Sequence, residues 1–468
     1  MKVSIKRIIA TLIIIVLILI IIPKEGYSNF SLFEILLFLL ITIICINDIS
    51  NELSNHSYSL NMIHYIFILF FYVFAPVVQI YFDYRPWGLY LDLEHVEYTL
   101  SLIVLWLIFY KIANVVQKKI KTNQKNKNSI IVKIPIGFMI FITILSIGCS
   151  AYLISKVGLT SLFSRATSGI KFDSSNGEAQ GLIINSFIKI TILYSTVISY
   201  VYIALNKKGY LFLIINVLLL LITHFPTGIS RNSAGIIYLG LIIIFHYINI
   251  EKFKNKMYYF LIFIVGFTII FPAISTFRNN TWEEADFGNE INEVIKNITY
   301  NYKSADYDAF SMIIQTEKYI DKNDIKYGKQ LIGNLLFFVP RKIWESKPTG
   351  SGYTIFSDLN YSFKNVSCPL LAEGLINFGI IGVILYAFIT GYIVSLLDQK
   401  YWNIMNKQNN KFDYLTLLYP FLLPSFFFML RGDFLSTYSY MFSYIFIFYL
   451  YTKIITINSN NKEGGILK

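Results

Sequence analysis

The sequence predicts an all-α polytopic membrane protein with about twelve transmembrane helices and one large helical loop on the outer face. Three observations carry that expectation. Of the 468 residues, 55% are apolar and 17% aromatic, a composition too rich in hydrocarbon for a domain dissolved in water. Apolar windows of roughly 17–25 residues, the length that crosses about 30 Å of hydrocarbon, recur along the chain. One connection, from about residue 277 to 372, is far longer than the others and carries amphipathic segments of its own.

The first window, 8–22, follows a basic stretch (Lys2, Lys6, Arg7) and so imitates a secretory signal. No small-x-small cleavage site follows it, and it reads as the first span. Further windows fall at 30–46, 60–82, 98–115, 135–155, 182–205, 210–224, 234–249 and 258–276 before the long connection, and at 373–397, 414–430 and 435–456 after it. Pro76, Pro272, Pro420 and Pro424 lie inside windows, where neighbouring helices can satisfy the carbonyls a proline leaves unpaired. The chain therefore divides into spans 1–9 over residues 1–276, an extracytoplasmic loop over 277–372, spans 10–12 over 373–456 and a cytoplasmic tail over 457–468.

Lysine and arginine in short loops set the orientation. The segment KKIKTNQKNKNSIIVK, the pair Lys207-Lys208 and the turn EKFKNK all fall on one side, which places both termini in the cytoplasm and the long loop outside. Within that loop, DAFSMIIQTEKYI has the helical spacing Phe310, Ile313, Ile314, Ile320. KQLIGNLLFFV is apolar for only about ten residues, too short to span, and suits a re-entrant or interfacial segment stopped by Pro340. The chain contains no internal repeat of the kind that builds a transporter from duplicated halves.

Thirty-three lysines stand against seven arginines, so positions that are Arg carry information. Arg85, Arg165, Arg231, Arg278, Arg341 and Arg431 all fall on the outer side, and Arg7 does not. A guanidinium offers a rigid fork that fits phosphate or carboxylate at two points, whereas an ammonium is a mobile point charge. Arg231, Arg278, Arg341 and Arg431 are the expected anion-binding set, although each could also snorkel to headgroups at a helix end. Arg231 sits in FPTGISRNSAG, whose Gly228, Ser230 and Asn232 let backbone amides approach an anion, and Arg431 stands close to Asp433.

Candidate carboxylates for proton transfer are Glu373, at the start of the tenth window, Asp433 and Asp358. Five histidines (His56, His64, His95, His224, His246) include none in the long loop. Three cysteines, Cys45, Cys149 and Cys368, support neither a disulfide framework nor a thiolate metal site. No HExxH, Walker loop or GxSxG elbow occurs, so the residues imply no metal and no cofactor. The net charge of +12 belongs to lysines bordering spans and does not suggest nucleic acid.

The segments GKQLIGNLLFFVPRKIW (Gly328–Trp344), KPTGSGY (Lys347–Tyr353) and NVSCPLLAEGLINFGIIGVILYAFITGYI (Asn365–Ile393) resemble a known pattern. It is the Pro-Arg, Lys-Pro-x-Gly and Ala-Glu-x-x-x-Asn-Phe-Gly region of bacterial oligosaccharide repeat-unit polymerases, the O-antigen and capsule polymerases of Wzy type. The likeness runs from about Phe225 to Leu397.

The resemblance implies a GT-C-like membrane glycosyltransferase that joins undecaprenyl-diphosphate-linked repeat units on the outer face of the cytoplasmic membrane and releases undecaprenyl diphosphate. It implies no metal, and as partners the lipid-linked oligosaccharide, a chain-length regulator and a flippase. The expected catalytic residues are then Glu373, Asp433 and Arg341. The diphosphate would meet Arg231, Arg278, Arg341 and Arg431, while Lys347, Gly350 and Asn377 would serve the substrate loop. An O-antigen-type ligase is the related alternative. A flippase or other transporter is the remote one, since the few charges inside windows (Glu34, Lys111, Lys189, Lys453) do not line a path.

Overall fold

The computed structural model describes residues 30–89, 93–120, 133–163, 178–248, 301–407 and 412–464, together with isolated positions between them. Helices dominate these residues, and the β structure among them is one bridge between Ile131 and Phe412. The helices are α1 (Leu32–Asn55), α2 (Leu60–Phe82), α3 (Leu93–Lys119), α4 (Ile136–Val157), α5 (Glu178–Asn206) and α6 (Tyr210–Thr223). Arg231–Ala234, Gly235–Leu239 and Gly240–Ile248 run on as α7. The long connection contributes α8 (Ala309–Asn323), α9 (Lys329–Leu335) and α10 (Ser351–Asp358). The chain then returns through α11 (Leu370–Lys407), α12 (Tyr414–Arg431) and α13 (Phe434–Gly464).

Seven of these helices are long and apolar enough to cross a bilayer, fewer than the twelve expected. The shortfall has physical causes. Helices α6 and α7 are apolar but short, and α13 dilutes its hydrocarbon with Ser436, Thr437, Ser439, Ser443 and an Asn-rich end. The expected windows 8–22 and 258–276 lie outside the described residues. Elsewhere the windows fall on helices: 60–82 matches α2, and 414–430 ends one residue short of α12.

The bundle has an inside and a lipid side. Helices α2 and α12 are its buried centre, whereas α4 turns Ile136, Ile140, Phe141, Ile144 and Ile147 outward, the apolar stripe that hydrocarbon requires. Polar groups between helices pair with one another: Asn216 of α6 donates to Thr143 Oγ1 of α4 at 3.1 Å and to Ser199 Oγ of α5 at 2.9 Å, and accepts from Ser195 at 2.9 Å. Helices α3 and α11 approach closely because position 391 is glycine, where a Cβ would stand 2.5 Å from the Tyr110 carbonyl oxygen.

Two features of the α8–α10 end of the bundle position the site. Helix α8 is buried nearly all round, with Phe310, Ile313 and Ile314 fully enclosed, so it acts as a wedge under the loop rather than as a surface helix. The segment expected to be re-entrant is a seven-residue helix, α9, followed by a turn; it presents Ile332, Leu335, Leu336 and Phe338 outward, an edge suited to an interface.

Glu373 does not begin an unbroken span. Backbone at Phe378 and Gly379 is non-helical, and Gly379 takes φ 62°, which favours glycine. The chain folds back so tightly that a Cβ on Gly382 would lie 1.9 Å from the Gly374 carbonyl oxygen. Glu373 therefore sits on a short arm turned back against the long one.

Candidate active site

Two carboxylates meet where this arm reaches the start of α13. Glu373 is fully buried; its Oε2 accepts from Ser351 Oγ at 2.7 Å and its Oε1 from the Phe434 amide at 3.3 Å. Asp433, one residue before that amide, is close enough for the two charges to interact. No ion pair to Glu373 forms among the described residues. Burial pushes the Asp433 carboxyl above the usual carboxylate range, and the Leu435 amide, donating to its Oδ1 at 3.0 Å, opposes that shift.

Asp433 opens onto a cavity of about 540 Å³. Its walls include Gly350 and Tyr353 from the start of α10, Lys364 and Asn365 from the following loop, and Ser436 from α13. Gly350 is there because nothing larger fits: a Cβ would stand 2.0 Å from Asp433 Oδ2. Gly432 is likewise forced, with φ 101° and its Cα against the Cys368 carbonyl. Beside the carboxylates, Asn334 of α9 is buried with its side-chain amide turned to Glu373.

The arginines converge, though not as an open anion site. Both terminal nitrogens of Arg231 bind Asp306, at 2.6 and 2.7 Å. Arg431 donates to the carbonyls of Asp306 and Ala305 at 2.8 and 2.9 Å and to Asp308 Oδ1 at 3.3 Å. Asp308, wholly buried, also accepts from Trp87 Nε1 and Ser367 Oγ, both at 2.8 Å. Two cations and two anions thus balance in one cluster that rivets the long loop to α7 and α12. Burial works to raise Asp306, but the hydrogen bonds of Arg231 and the charges of both arginines prevail and hold it below its usual range. Burial wins at Asp308, which is raised despite Arg431.

Arg341 is exposed, and its fork closes on its own loop, donating to the Lys347 carbonyl at 2.7 Å and the Pro348 carbonyl at 3.4 Å. Lys347 is buried, its ammonium held by the Phe337 and Val339 carbonyls at 2.6 and 2.9 Å. Asn377 caps α9: its Oδ1 accepts from the Leu331 amide at 3.0 Å. Each of these three groups is engaged with backbone, and none of them lines the cavity beside Gly350. Arg278 lies outside the described residues.

Ser351, Asp306, Asp308 and Asn334 were not singled out from the sequence. Single polar residues in a long loop carry no periodic signal, and the partners of Asp306 stand 75 and 125 residues away. Among the described residues no group of three or more His, Cys, Asp or Glu side chains forms a metal cluster.

A family model described as O-antigen polysaccharide polymerase Wzy matches residues 5–463, nearly the whole chain. No curated protein and no solved structure matches.

Proposed function

The chain belongs to the O-antigen polysaccharide polymerase Wzy family, and from that premise we propose that it joins undecaprenyl-diphosphate-linked oligosaccharide repeat units at the outer face of the cytoplasmic membrane. The observation that carries this reading to a site is the Asp433–Glu373 pair beneath the open cavity beside Gly350.

In this reading the non-reducing-end hydroxyl of a new repeat unit enters the cavity and attacks the anomeric carbon of the growing chain. A carbon–oxygen bond forms there and the bond to the diphosphate breaks. The hydroxyl proton passes to Asp433, whose carboxyl is raised toward the working pH, where a general base is most effective. Glu373, with both oxygens occupied, is fixed beside Asp433 and positions it. Undecaprenyl diphosphate leaves.

Charge builds on the departing diphosphate, and fixed donors near it lower the barrier. Charge-assisted hydrogen bonds contribute about 1.5–3 kcal/mol each, so two or three supply a useful part of a reduction of about 8 kcal/mol or more. Arg231 and Arg431 are committed to Asp306, Ala305 and Asp308, and their part is to hold the loop in place. Arg341 and Lys347 hold the loop that carries Gly350. A GT-C-like arrangement, and association with a flippase and a chain-length regulator, fit the same reading.

The test supplies purified protein in proteoliposomes with one lipid-linked repeat unit. A ladder of products is expected from the wild-type chain and none from Asp433→Asn. Transfer of a finished chain to a different acceptor, with no ladder, would favour the ligase instead.

A further inference from the structure

A second cavity, of about 180 Å³, opens at the same end of the bundle between α5, the α6–α7 turn and α13. Its walls include Lys189, Asn185, His224, Ser230, Ser233 and Tyr440. At about 30 Å³ per water its volume is that of roughly six waters, enough for a polyatomic group. Asp433 and Glu373 are not part of it.

The chemistry of its walls is one-sided. Lys189 lies within the apolar length of α5, and among the described residues it has neither ion-pair nor hydrogen-bond partner. An ammonium at that depth without a counter-ion is costly, which asks for an anion in the cavity. Thr223 Oγ1 gives its hydrogen to the Leu219 carbonyl at 2.7 Å, so at 2.8 Å it accepts from His224 Nδ1–H. This assigns the tautomer and leaves Nε2 as an acceptor, suited to a protonated oxygen of a ligand. Ser230 caps α7 through the Ser233 amide, so the positive end of that helix adds to the field. Asn185 Oδ1 is buried and unpartnered, and the same amide turned over presents its Nδ2 hydrogens to the cavity instead.

Resting on the polymerase reading above, we propose that the Lys189–His224 cavity is a phosphate-binding site for the diphosphate end of a lipid-linked substrate. Lys189 neutralises the phosphate, and the Ser230–Ser233 hydroxyl pair, joined at 2.8 Å, has one hydrogen left to donate to its oxygens at the start of α7. The isoprenoid leaves the cavity between α5 and α13 along the lipid side, where Ile184 of α5 and Tyr440 of α13 are exposed. A reaction between two lipid-linked sugars needs to seat two diphosphates. The arginines of the Asp306 cluster already face carboxylates, whereas Lys189 does not.

Binding is read without turnover, by thermal shift of the full chain in nanodiscs titrated with farnesyl diphosphate, inorganic diphosphate or farnesol. Farnesyl diphosphate should raise the wild-type Tm in a saturable way. Lys189→Met should weaken the apparent Kd at least tenfold, Lys189→Arg should retain it, and Asp433→Asn should bind as wild type. Inorganic diphosphate protecting equally well would make the site one for free diphosphate and overturn its lipid-linked assignment; farnesol protecting equally well would overturn the phosphate site. Unchanged binding by Lys189→Met, in a preparation whose wild type builds the product ladder, sinks this inference alone. Lost binding by Lys189→Met with no ladder from wild type sinks the polymerase reading and leaves the site.

Discussion

Ser351 Oγ donates a 2.7 Å hydrogen bond to Glu373 Oε2, joining the first residue of α10 to a carboxylate on the folded-back arm of α11. Glu373→Gln keeps the shape of the side chain and replaces one of the two oxygens that accept from Ser351 and Phe434 by a donor. Polymer formation is expected to fall at least tenfold, with membrane insertion intact. Ser351→Ala removes one buried hydrogen bond and leaves a buried acceptor unsatisfied, about 1–3 kcal/mol, and so costs roughly five- to a hundredfold in rate if the bond matters at the transition state. A normal ladder from Glu373→Gln would remove that residue from the mechanism.

Gly350→Ala separates the catalytic reading from a stability reading. The new methyl would stand 2.0 Å from Asp433 Oδ2, and a carboxylate on a short side chain escapes by rotating away. Gly350 has φ −56°, so alanine brings no backbone strain. The expected result is a Tm within a few degrees of wild type and a polymer yield reduced at least tenfold. Undiminished polymer would mean that the orientation of Asp433 is immaterial.

The Asp306 cluster predicts a stability effect. Removing one member of a buried pair leaves its partner uncompensated, at a cost of about 3–5 kcal/mol. Asp306→Asn leaves Arg231 without its carboxylate and takes a charge 4.0 Å from Arg431, so it should lower Tm in detergent more than Arg231→Lys, which keeps the charge and forfeits the two-point contact. The double variant Arg231→Met with Asp306→Leu should recover part of the difference. If Asp306→Asn leaves Tm unchanged, the cluster does not hold the loop.

Much of the bundle was legible because hydrocarbon length and helical period act locally: α2, α4 and α12 follow their apolar windows within a residue or two. The break at Phe378–Gly379 was harder to read, since NFGIIG is as apolar as the span around it and only the backbone contact between Gly374 and Gly382 reveals the fold-back. The arginines were legible as unusual, but what they bind was not. Asp306 and Asp308 reach them from a loop whose path is set by Gln79 holding the Tyr302 and Tyr307 carbonyls and by Trp87 holding Asp308. Such long-range pairings leave no spacing in the sequence.

Glu317 supplies a pH dependence. It is buried between α8 and α3, accepting from Thr99 at 2.7 Å with His95 Nδ1 at 3.2 Å. Burial pushes its carboxyl up from 4.5 to about 8, opposed by the Thr99 hydroxyl and aided by Asp321. Between those two values the folded chain holds a proton that the unfolded chain releases. Stability from this group is therefore complete below about 4.5 and lost as pH rises toward about 8. Tm in detergent should fall across that window in the wild type and fall less in Glu317→Gln. Parallel pH profiles for the two proteins would show that Glu317 is ionised in the fold.

Arg341 and Lys342 stand side by side, which allows fork geometry to be tested against charge. Arg341 spans two carbonyls, those of Lys347 and Pro348, and Lys347 in turn spans those of Phe337 and Val339, so the turn from α9 to Gly350 is closed by two cations acting on backbone. An ammonium at 341 cannot reach both carbonyls in one plane. Arg341→Lys is therefore expected to loosen the loop that seats Gly350 against Asp433 and to lower polymer yield about tenfold, whereas Lys342→Arg or Lys342→Gln should leave it within about twofold. Limited proteolysis supplies the mechanistic readout, because a loosened turn at 341–350 is cut faster while the helices stay protected. If Arg341→Lys lowers yield without faster cleavage, Arg341 acts on substrate directly and the loop-holding role is wrong.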